Sequence, residues 1–251
     1  MDPDYPTMDA RLSEVAGLNA FELAELHLDA LYRRDPMGLI VASRDPAVEP
    51  PPFHLVRMSD GNRWLVAAHL DGLQRERLAS VLSALPPISD CAGARSHPPD
   101  VDAIRAALPR RSAFQREYRG PAFFFPQSVA SADAAELLTG ALAVAEEGPF
   151  AWLRSADDAT HPIAVVRAET GEIAAVCYSA RATSAAAEAG VETVKKHRRR
   201  GYASRAVVAW AGAVARGGRV PLYSTSWDNL ASQALVRRLA LICYGEDLHI
   251  G

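Results

Sequence analysis

The stretch VETVKKHRRRGYA, residues 191–203, decides the fold, and an apolar helical pattern follows it. It predicts a strand, then a basic turn with one glycine, then a helix whose first N–H groups are free to bind an anion. Gly201 lets the backbone approach a ligand closely because it has no Cβ, and Ala203 keeps the next turn small. The stretch therefore predicts a phosphate site, and the alternative is a solvated basic loop with an ordinary turn glycine.

The composition describes a folded chain with nearly balanced charge. The 251 residues are 49% hydrophobic, enough for a full core, and 27 Lys and Arg against 30 Asp and Glu give a net charge of -3. A general nucleic-acid binder would be basic overall, so we expect no nucleic-acid partner and a small anionic ligand at the local basic cluster. No apolar run approaches membrane-spanning length, so we expect no membrane association.

The cysteines and the N-terminus bear on the cellular compartment. Cys91, Cys177 and Cys243 are far apart and odd in number, with neither zinc spacing nor a CxxC pair. We therefore expect reduced, mostly buried thiols and no metal. The acidic, proline-containing segment 1–10 does not resemble a signal peptide, which favours a cytoplasmic protein.

The hydrophobic pattern divides the chain into two units, residues 1–119 and residues 120–251. In the first unit it predicts a small α+β domain, with helices over 20–33, 70–85 and 101–108, strands over 39–42, 53–58 and 63–68, and a loop over 88–100. In the second unit it predicts strands over 122–125, 163–167, 173–180, 187–194, 220–226 and 243–250, and helices over 132–147, 203–216 and 228–239. Crossover helices beside the basic turn imply parallel strands there, with antiparallel hairpins upstream.

The second unit resembles the GNAT acetyltransferase superfamily. Arg198, Gly201 and Ala203 fill the family signature Q/R-x-x-G-x-G/A between a strand and a helix, and Asn229 begins the next crossover helix, where the family often has Asn. The resemblance covers residues 120–251. It implies a mixed α/β GNAT fold, in which helices flank a central twisted mixed sheet, preceded here by the smaller α+β domain.

The resemblance also implies acetyl-CoA as cosubstrate. The turn would hold the pyrophosphate, and the strand end at Thr193 and Val194 would separate from the strand around Tyr223 and pair with the pantetheine arm. Asn229 either contacts this arm or only caps its helix. The last helix carries Arg237 and Arg238, which we assign to a solvated face, with contact to the 3′-phosphate as the alternative. The full set of expected coenzyme residues is Thr193, Val194, Arg198, Arg199, Arg200, Gly201, Tyr202, Ala203, Ser204, Asn229 and Ser232.

The resemblance further suggests how an amine would be acetylated by direct attack. Glu192, and after it Glu188, are candidate bases, and their even spacing puts them on one strand face unless a β-bulge intervenes. The alternative is a solvated strand face or a salt bridge. Val236 occupies the position of the family's tyrosine acid. Either a residue of the preceding strand replaces that acid, namely Tyr223, Ser224, Thr225 or Ser226, or the thiolate leaves unprotonated.

The predicted function is therefore an N-acetyltransferase that transfers the acetyl group of acetyl-CoA to a primary amine of a small molecule or peptide. The alternative is a catalytically weak acyl-CoA-binding sensor or regulatory module, which the loss of the tyrosine keeps open. The first unit shows no catalytic motif. It could form a wall of the acceptor cleft or mediate a homodimer contact.

Overall fold

The computed structural model describes residues 17–109, 116–126, 136–139, 148–155 and 161–251. The α-helices are α1 (Ala20–Leu31), α2 (Gly72–Ala84), α3 (Cys91–Ser96), α4 (Val101–Ala107), α5 (Tyr202–Arg216) and α6 (Leu230–Leu239). The strands are β1 (Tyr32–Arg34), β2 (Ile40–Ser43), β3 (Phe53–Met58), β4 (Gly61–Val66), β5 (Glu117–Phe124), β6 (Glu136–Thr139), β7 (Pro162–Arg167), β8 (Ile173–Ala182), β9 (Ala186–Thr193), β10 (Val220–Ser224) and β11 (Ile242–Ile250).

The main sheet is mixed and has the strand order β4-β3-β11-β5-β10-β9-β8-β7-β6. Strands β9 and β10 are parallel, and the other neighbouring pairs are antiparallel. A parallel pair needs a crossover connection, which α5 supplies here. This arrangement confirms the predicted mixed α/β sheet, with its parallel pair beside the basic turn.

Helices cover both faces of the sheet. On one face α5 buries its apolar side, including Val207, Trp210 and Val214, against β7, β8 and β9. On the other face α1 buries Leu23 and Leu28. A capping box between Asn19 and Glu22 fixes where α1 begins. Strands β9 and β10 lie in the interior of the strand order.

The hairpin of the first half joins the main sheet. Strand β3 pairs with β11, so that His54 lies opposite His249 and Leu55 opposite Leu248. A separate small antiparallel sheet consists of β1 and β2. Strands from both sides of residue 119 therefore share one sheet, and the division into residues 1–119 and 120–251 stays a prediction.

Three local predictions need correction. The first helix ends at Leu31 because Tyr32–Arg34 pairs with β2 as a strand. The expected loop 88–100 contains α3, which Asp90 caps at its N-terminus. Residues 136–139 form a strand paired with β7 rather than part of a helix, while the remainder of the predicted helix 132–147 and the segment 1–10 lie outside the described residues.

The expectation of three reduced thiols is wrong for two of the cysteines. Cys91 at the start of α3 and Cys243 on β11 form a disulfide, with their Cα atoms 6.4 Å apart. The two cysteines are 152 residues apart in the sequence, so local sequence patterns could not predict that they lie close together. The fold brings α3 next to β11. Cys177 is a free, buried cysteine, as predicted. None of the helices in the described ranges is long and apolar enough to cross a membrane.

Candidate functional site

The basic turn has the backbone shape of an anion cradle. Gly201 has φ +80° and Arg199 has φ +63°, both in the left-handed region. Helix α5 begins immediately after, and no side chain in the described part of the chain caps its first turn. A Cβ added to Gly201 would lie 3.5 Å from Nη2 of Arg238, so the guanidinium of α6 stands beside the cradle. Arg237 and Arg238 are exposed, as the solvated-face assignment expects, and Arg238 also lies beside the turn because of how α6 packs.

The residues before the cradle differ in role. The side chains of Arg198, Arg199 and Arg200 are exposed. His197 is buried, with Nε2 2.9 Å from Glu172, and Lys196 Nζ donates to the same carboxylate at 2.5 Å. These two bonds hold the turn against the β7–β8 hairpin, and Arg198 Nε donates to Thr193 O at 3.4 Å within the turn.

The predicted separation of β9 and β10 is present. The two strands pair only where Ala186–Glu188 meets Val220–Leu222, and β9 continues to Thr193 without β10 beside it. A cavity of about 320 Å³ fills the resulting gap, which we call the strand gap. It is lined by residues that include Ala189, Val191, Tyr223, Thr225, Asn229 and Ser232. The N–H of Val194 donates to Ala174 O on β8 at 3.0 Å and so is not available to a ligand in the gap.

Asn229 and Tyr223 meet at the far side of the strand gap. The Asn229 side chain caps α6 by accepting from the Ser232 N–H at 3.1 Å, so the helix-cap assignment is correct, and its position on the gap leaves a ligand contact open. Tyr223 donates its hydroxyl hydrogen to Ser232 Oγ at 3.1 Å. Burial raises the pKa of Tyr223 to about 12, which keeps the phenol protonated at neutral pH.

A second, larger cavity of about 780 Å³ adjoins the strand gap, and we call it the inner cavity. Its walls come from both halves of the chain, because His27, Tyr32 and His54 face residues of β5, β10 and β11 across it. The two cavities share the lining residues Tyr118, Arg181, Glu188, Ser224 and Ser226. They therefore meet where β9 and β10 begin to separate.

Glu188 stands at this meeting point and is 4% exposed. It accepts from Ser224 Oγ at 2.5 Å and from Arg181 Nη1 at 3.1 Å, and His27 Nε2 lies 3.3 Å away. Burial opposes the ionisation of Glu188, but His27 and Arg181 outweigh it and lower its pKa to about 2. The site thus holds an ionised carboxylate at the junction of two cavities.

His27 links Glu188 to a second buried carboxylate, that of Asp247. Its Nδ1 lies 2.7 Å from the Tyr244 hydroxyl and 3.6 Å from Asp247 Oδ2. Burial disfavours the imidazolium, but Asp247 and Glu188 outweigh this and raise the pKa of His27. Sequence reasoning missed His27, since it lies within an amphipathic helix of the first half with no motif around it.

Glu192, the first candidate base, lies apart from this cluster. It is exposed, stands opposite Val176 on β8 and lines neither the strand gap nor the inner cavity. The bulge of this strand pair lies on β8 between Ser179 and Arg181, so β9 keeps its regular alternation. Of the two glutamates, the structure places Glu188 at the junction and Glu192 farther along the strand. Within the described residues, no group of three or more His, Cys, Asp or Glu could hold a metal ion.

Residues 163–248 match the family model of FR47-like protein. The chain is similar to a GNAT-family acetyltransferase structure from Novosphingobium aromaticivorans, with 23% identity and a TM-score of 0.42 over 54% of this chain and 64% of that one. This match thus spans less than two thirds of that relative's length. A search of curated proteins found no match.

Two further solved structures are similar over more of their length. An acetyltransferase of the GNAT family from Colwellia psychrerythraea has 11% identity and a TM-score of 0.44 over 75% of this chain and 76% of that one. A GCN5-related N-acetyltransferase-like protein from Streptococcus suis has 15% identity and a TM-score of 0.42 over 83% and 86%.

The family match lies within the second half of the chain. The matched segment, residues 163–248, carries most of β7 to β11 together with the anion cradle. This segment is GNAT-related, which confirms the resemblance that the turn and Asn229 indicated.

Proposed function

We propose that the protein is an N-acetyltransferase that moves the acetyl group of acetyl-CoA to a primary amine. The meeting of two cavities at Glu188, one beside the free edge of β9 that leads to the cradle and one walled in part by the first half of the chain, is the observation that carries this proposal. A transferase of this kind needs a coenzyme site and an acceptor site that share one reacting point. The strand gap and the inner cavity have this relation.

The residues around the strand gap fit coenzyme A. The left-handed Gly201 and the uncapped start of α5 suit a pyrophosphate, and Arg238 and the exposed Arg198–Arg200 supply positive charge. The free edge of β9 between Ala189 and Thr193 suits the pantetheine amides as an added strand. When bound in this way, acetyl-CoA supplies a thioester near Glu188.

The residues at the junction then have separate roles. Glu188 and Ser224 bind and orient the amine, and the ionised carboxylate takes up the proton that the attacking nitrogen loses. Because the pKa of Glu188 is about 2, that proton does not stay on the carboxylate and passes on to solvent or to the leaving sulfur. Tyr223 donates a hydrogen bond to the thiolate as the carbon–sulfur bond breaks.

The same low pKa supports a second candidate function, the acyl-CoA-binding sensor, because a carboxylate held by His27 and Arg181 is a weak base. Two measurements separate the functions. Calorimetry with coenzyme A should show binding under both, and its absence would eliminate both. Release of free thiol from acetyl-CoA over a panel of primary amines should occur only for the transferase, and tight coenzyme binding without turnover on any amine would leave the sensor.

A further inference from the structure

The floor of the inner cavity consists of three polar side chains on adjacent strands: His54 on β3, and Asp247 and His249 on β11. His54 is 2% exposed and Asp247 is 1% exposed. Asp247 Oδ1, His54 Nε2 and His249 Nδ1 are buried atoms without a hydrogen-bond partner in the described part of the chain. Buried polar atoms normally have partners, so three without one in a single cavity point to a ligand that supplies them.

The surroundings of the floor define what kind of group would fit. His54 Nε2 lies 3.4 Å from Asp247 Oδ1, close enough to attract it but without the alignment of a hydrogen bond. The Tyr32 hydroxyl lies 2.9 Å from His54 Nδ1, so the other side of that ring is already used. The ring of Tyr118 stacks on His249, with centroids 5.1 Å apart and planes at 12°. An anionic oxygen beside aromatic rings is a setting that favours a cation with several N–H donors.

His249 adds an acceptor to this setting. Burial, and then the neighbouring His54, lower the pKa of His249 to about 3, so its ring is neutral at physiological pH. A neutral imidazole can accept a hydrogen bond through one ring nitrogen, and an imidazolium cannot. An ammonium group on the floor would therefore find a carboxyl acceptor in Asp247 and a neutral imidazole in His249.

The floor and the junction lie on opposite sides of the His27 imidazole ring. Glu188 lies next to Nε2 of His27 and Asp247 next to Nδ1, so the two carboxylates are separated by the width of His27. We propose that the acceptor is a small diamine, with the amine to be acetylated at Glu188 and Ser224 and a second, protonated nitrogen on the floor at Asp247 and His249. This proposal rests on the proposed transferase function and names its class of substrate.

The test uses three acceptors of matched length that differ in one end group: 1,4-diaminobutane, 4-amino-1-butanol and butylamine. Thiol release from acetyl-CoA gives kcat/KM for each, and shorter and longer diamines then define the best spacing. The wild-type protein should prefer the diamine over the amino alcohol by at least about tenfold, since a charge-assisted hydrogen bond to a buried carboxylate is lost with the ammonium. Equal kcat/KM for the three acceptors, or a preference for the alcohol or the alkyl group, would overturn the proposal.

Two variants test whether the floor of the inner cavity causes the preference for the diamine over the amino alcohol. Asp247→Asn keeps the side-chain shape and removes the charge, and it should bring the ratio of diamine to amino alcohol close to one. Asp228→Asn is the matched control, because Asp228 lines the mouth of the same cavity and is exposed, and it should keep the wild-type ratio. A general folding defect would lower both rates and leave the ratio unchanged. An unchanged ratio in a folded Asp247→Asn protein would refute the assignment to Asp247.

Calorimetry tests the cation site independently of acetyl transfer, because it measures amine binding directly. The wild-type protein should bind 1,4-diaminobutane at least about tenfold more tightly than 4-amino-1-butanol, with or without coenzyme A. If no amine is acetylated but this binding preference holds and disappears in Asp247→Asn, the transferase function is wrong and the cation site stands. If coenzyme A binds and other amines are acetylated, but the diamine has no binding preference, the cation site is wrong and the function stands.

Discussion

The coenzyme cradle can be tested by replacing Gly201 with Glu, with Ala as the matched control. Both replacements place a Cβ at φ +80°, a backbone conformation that costs an L-residue about 1–2 kcal/mol. Neither Cβ clashes, because the nearest atom, Arg238 Nη2, would be 3.5 Å away. The two variants therefore share one backbone penalty and differ in the carboxylate.

The charge determines the expected effect on binding. A carboxylate about 5 Å from one charge of a bound pyrophosphate costs about 3 kcal/mol at an effective dielectric constant of about 20. This corresponds to a loss of affinity of more than about a hundredfold. If the glutamate pairs instead with Arg238, the cradle loses its neighbouring cation, and the affinity falls for that reason. Gly201→Ala should lose less than about tenfold in affinity, because its strain is present in both the free and the bound protein.

Isothermal titration calorimetry measures this effect, with coenzyme A and pantetheine as ligands. Gly201→Glu should abolish detectable coenzyme A binding and leave the weaker pantetheine binding unchanged, since pantetheine carries no phosphate. Both variants should lower Tm by a similar few degrees through the shared backbone strain. Coenzyme A affinity within threefold of wild type in Gly201→Glu would show that the phosphates bind elsewhere. Equal losses in Gly201→Ala and Gly201→Glu would show that backbone shape, and not charge, is what the cradle supplies.

Three further predictions concern the junction. In a thiol-release assay, Glu188→Gln should lower kcat/KM for amines by about a hundredfold, and Glu192→Gln should change it by less than about threefold. A larger loss in Glu192→Gln than in Glu188→Gln would return the role of base to Glu192. Tyr223→Phe should lower kcat by about tenfold without changing coenzyme A affinity by calorimetry, and an unchanged kcat would mean that the thiolate leaves without help from this hydroxyl. The pKa of Glu188 falls from 4.5 to about 2 on folding, so the ionised carboxylate contributes at most about 3 kcal/mol to the free energy of unfolding. This contribution is complete above pH 4.5 and is lost as the pH falls toward 2. The free energy of unfolding, measured with urea across that pH interval, should decrease less with falling pH in Glu188→Gln than in wild type. Equal decreases in the two proteins would refute the ion-pair assignment.

The anion cradle and the separation of β9 from β10 could be predicted from sequence because their parts are close along the chain. The cradle, the two separating strands and the cap of α6 all lie between Ala186 and Leu239, and the cradle and the cap each have a local signal: a glycine between a strand and a helix, or an asparagine before a helix. Local signals fix local backbone shape, and a crossover helix then sets the parallel pairing. The nearness of the exposed Arg238 to Gly201 could not be predicted in this way, because it depends on how α6 packs.

The acceptor side could not be predicted because its contacts are distant in sequence. His27 and Glu188 are 161 residues apart, and His27 and Tyr244 are 217 apart. One signal was available in the last strand, where Glu246, Asp247 and His249 interrupt an otherwise apolar stretch. Polar residues in a strand buried on both faces need partners, so they mark a polar cavity or a network even before the partners are known.

This difference in origin bears on how specificity would be built under the proposed function. The anion cradle and the parallel strand pair come from one continuous segment of the second half, whereas the inner cavity needs β11 and two elements of the first half, α1 and β3. Under the proposed function, a substitution at His54 that preserves packing changes the acceptor without altering the cradle. Glu188 belongs to both cavities and His27 holds its charge, so at these two positions a change of acceptor and a loss of chemistry cannot be separated. The proposal thus makes the first half of the chain the acceptor-binding part of one site and not an independent accessory to it.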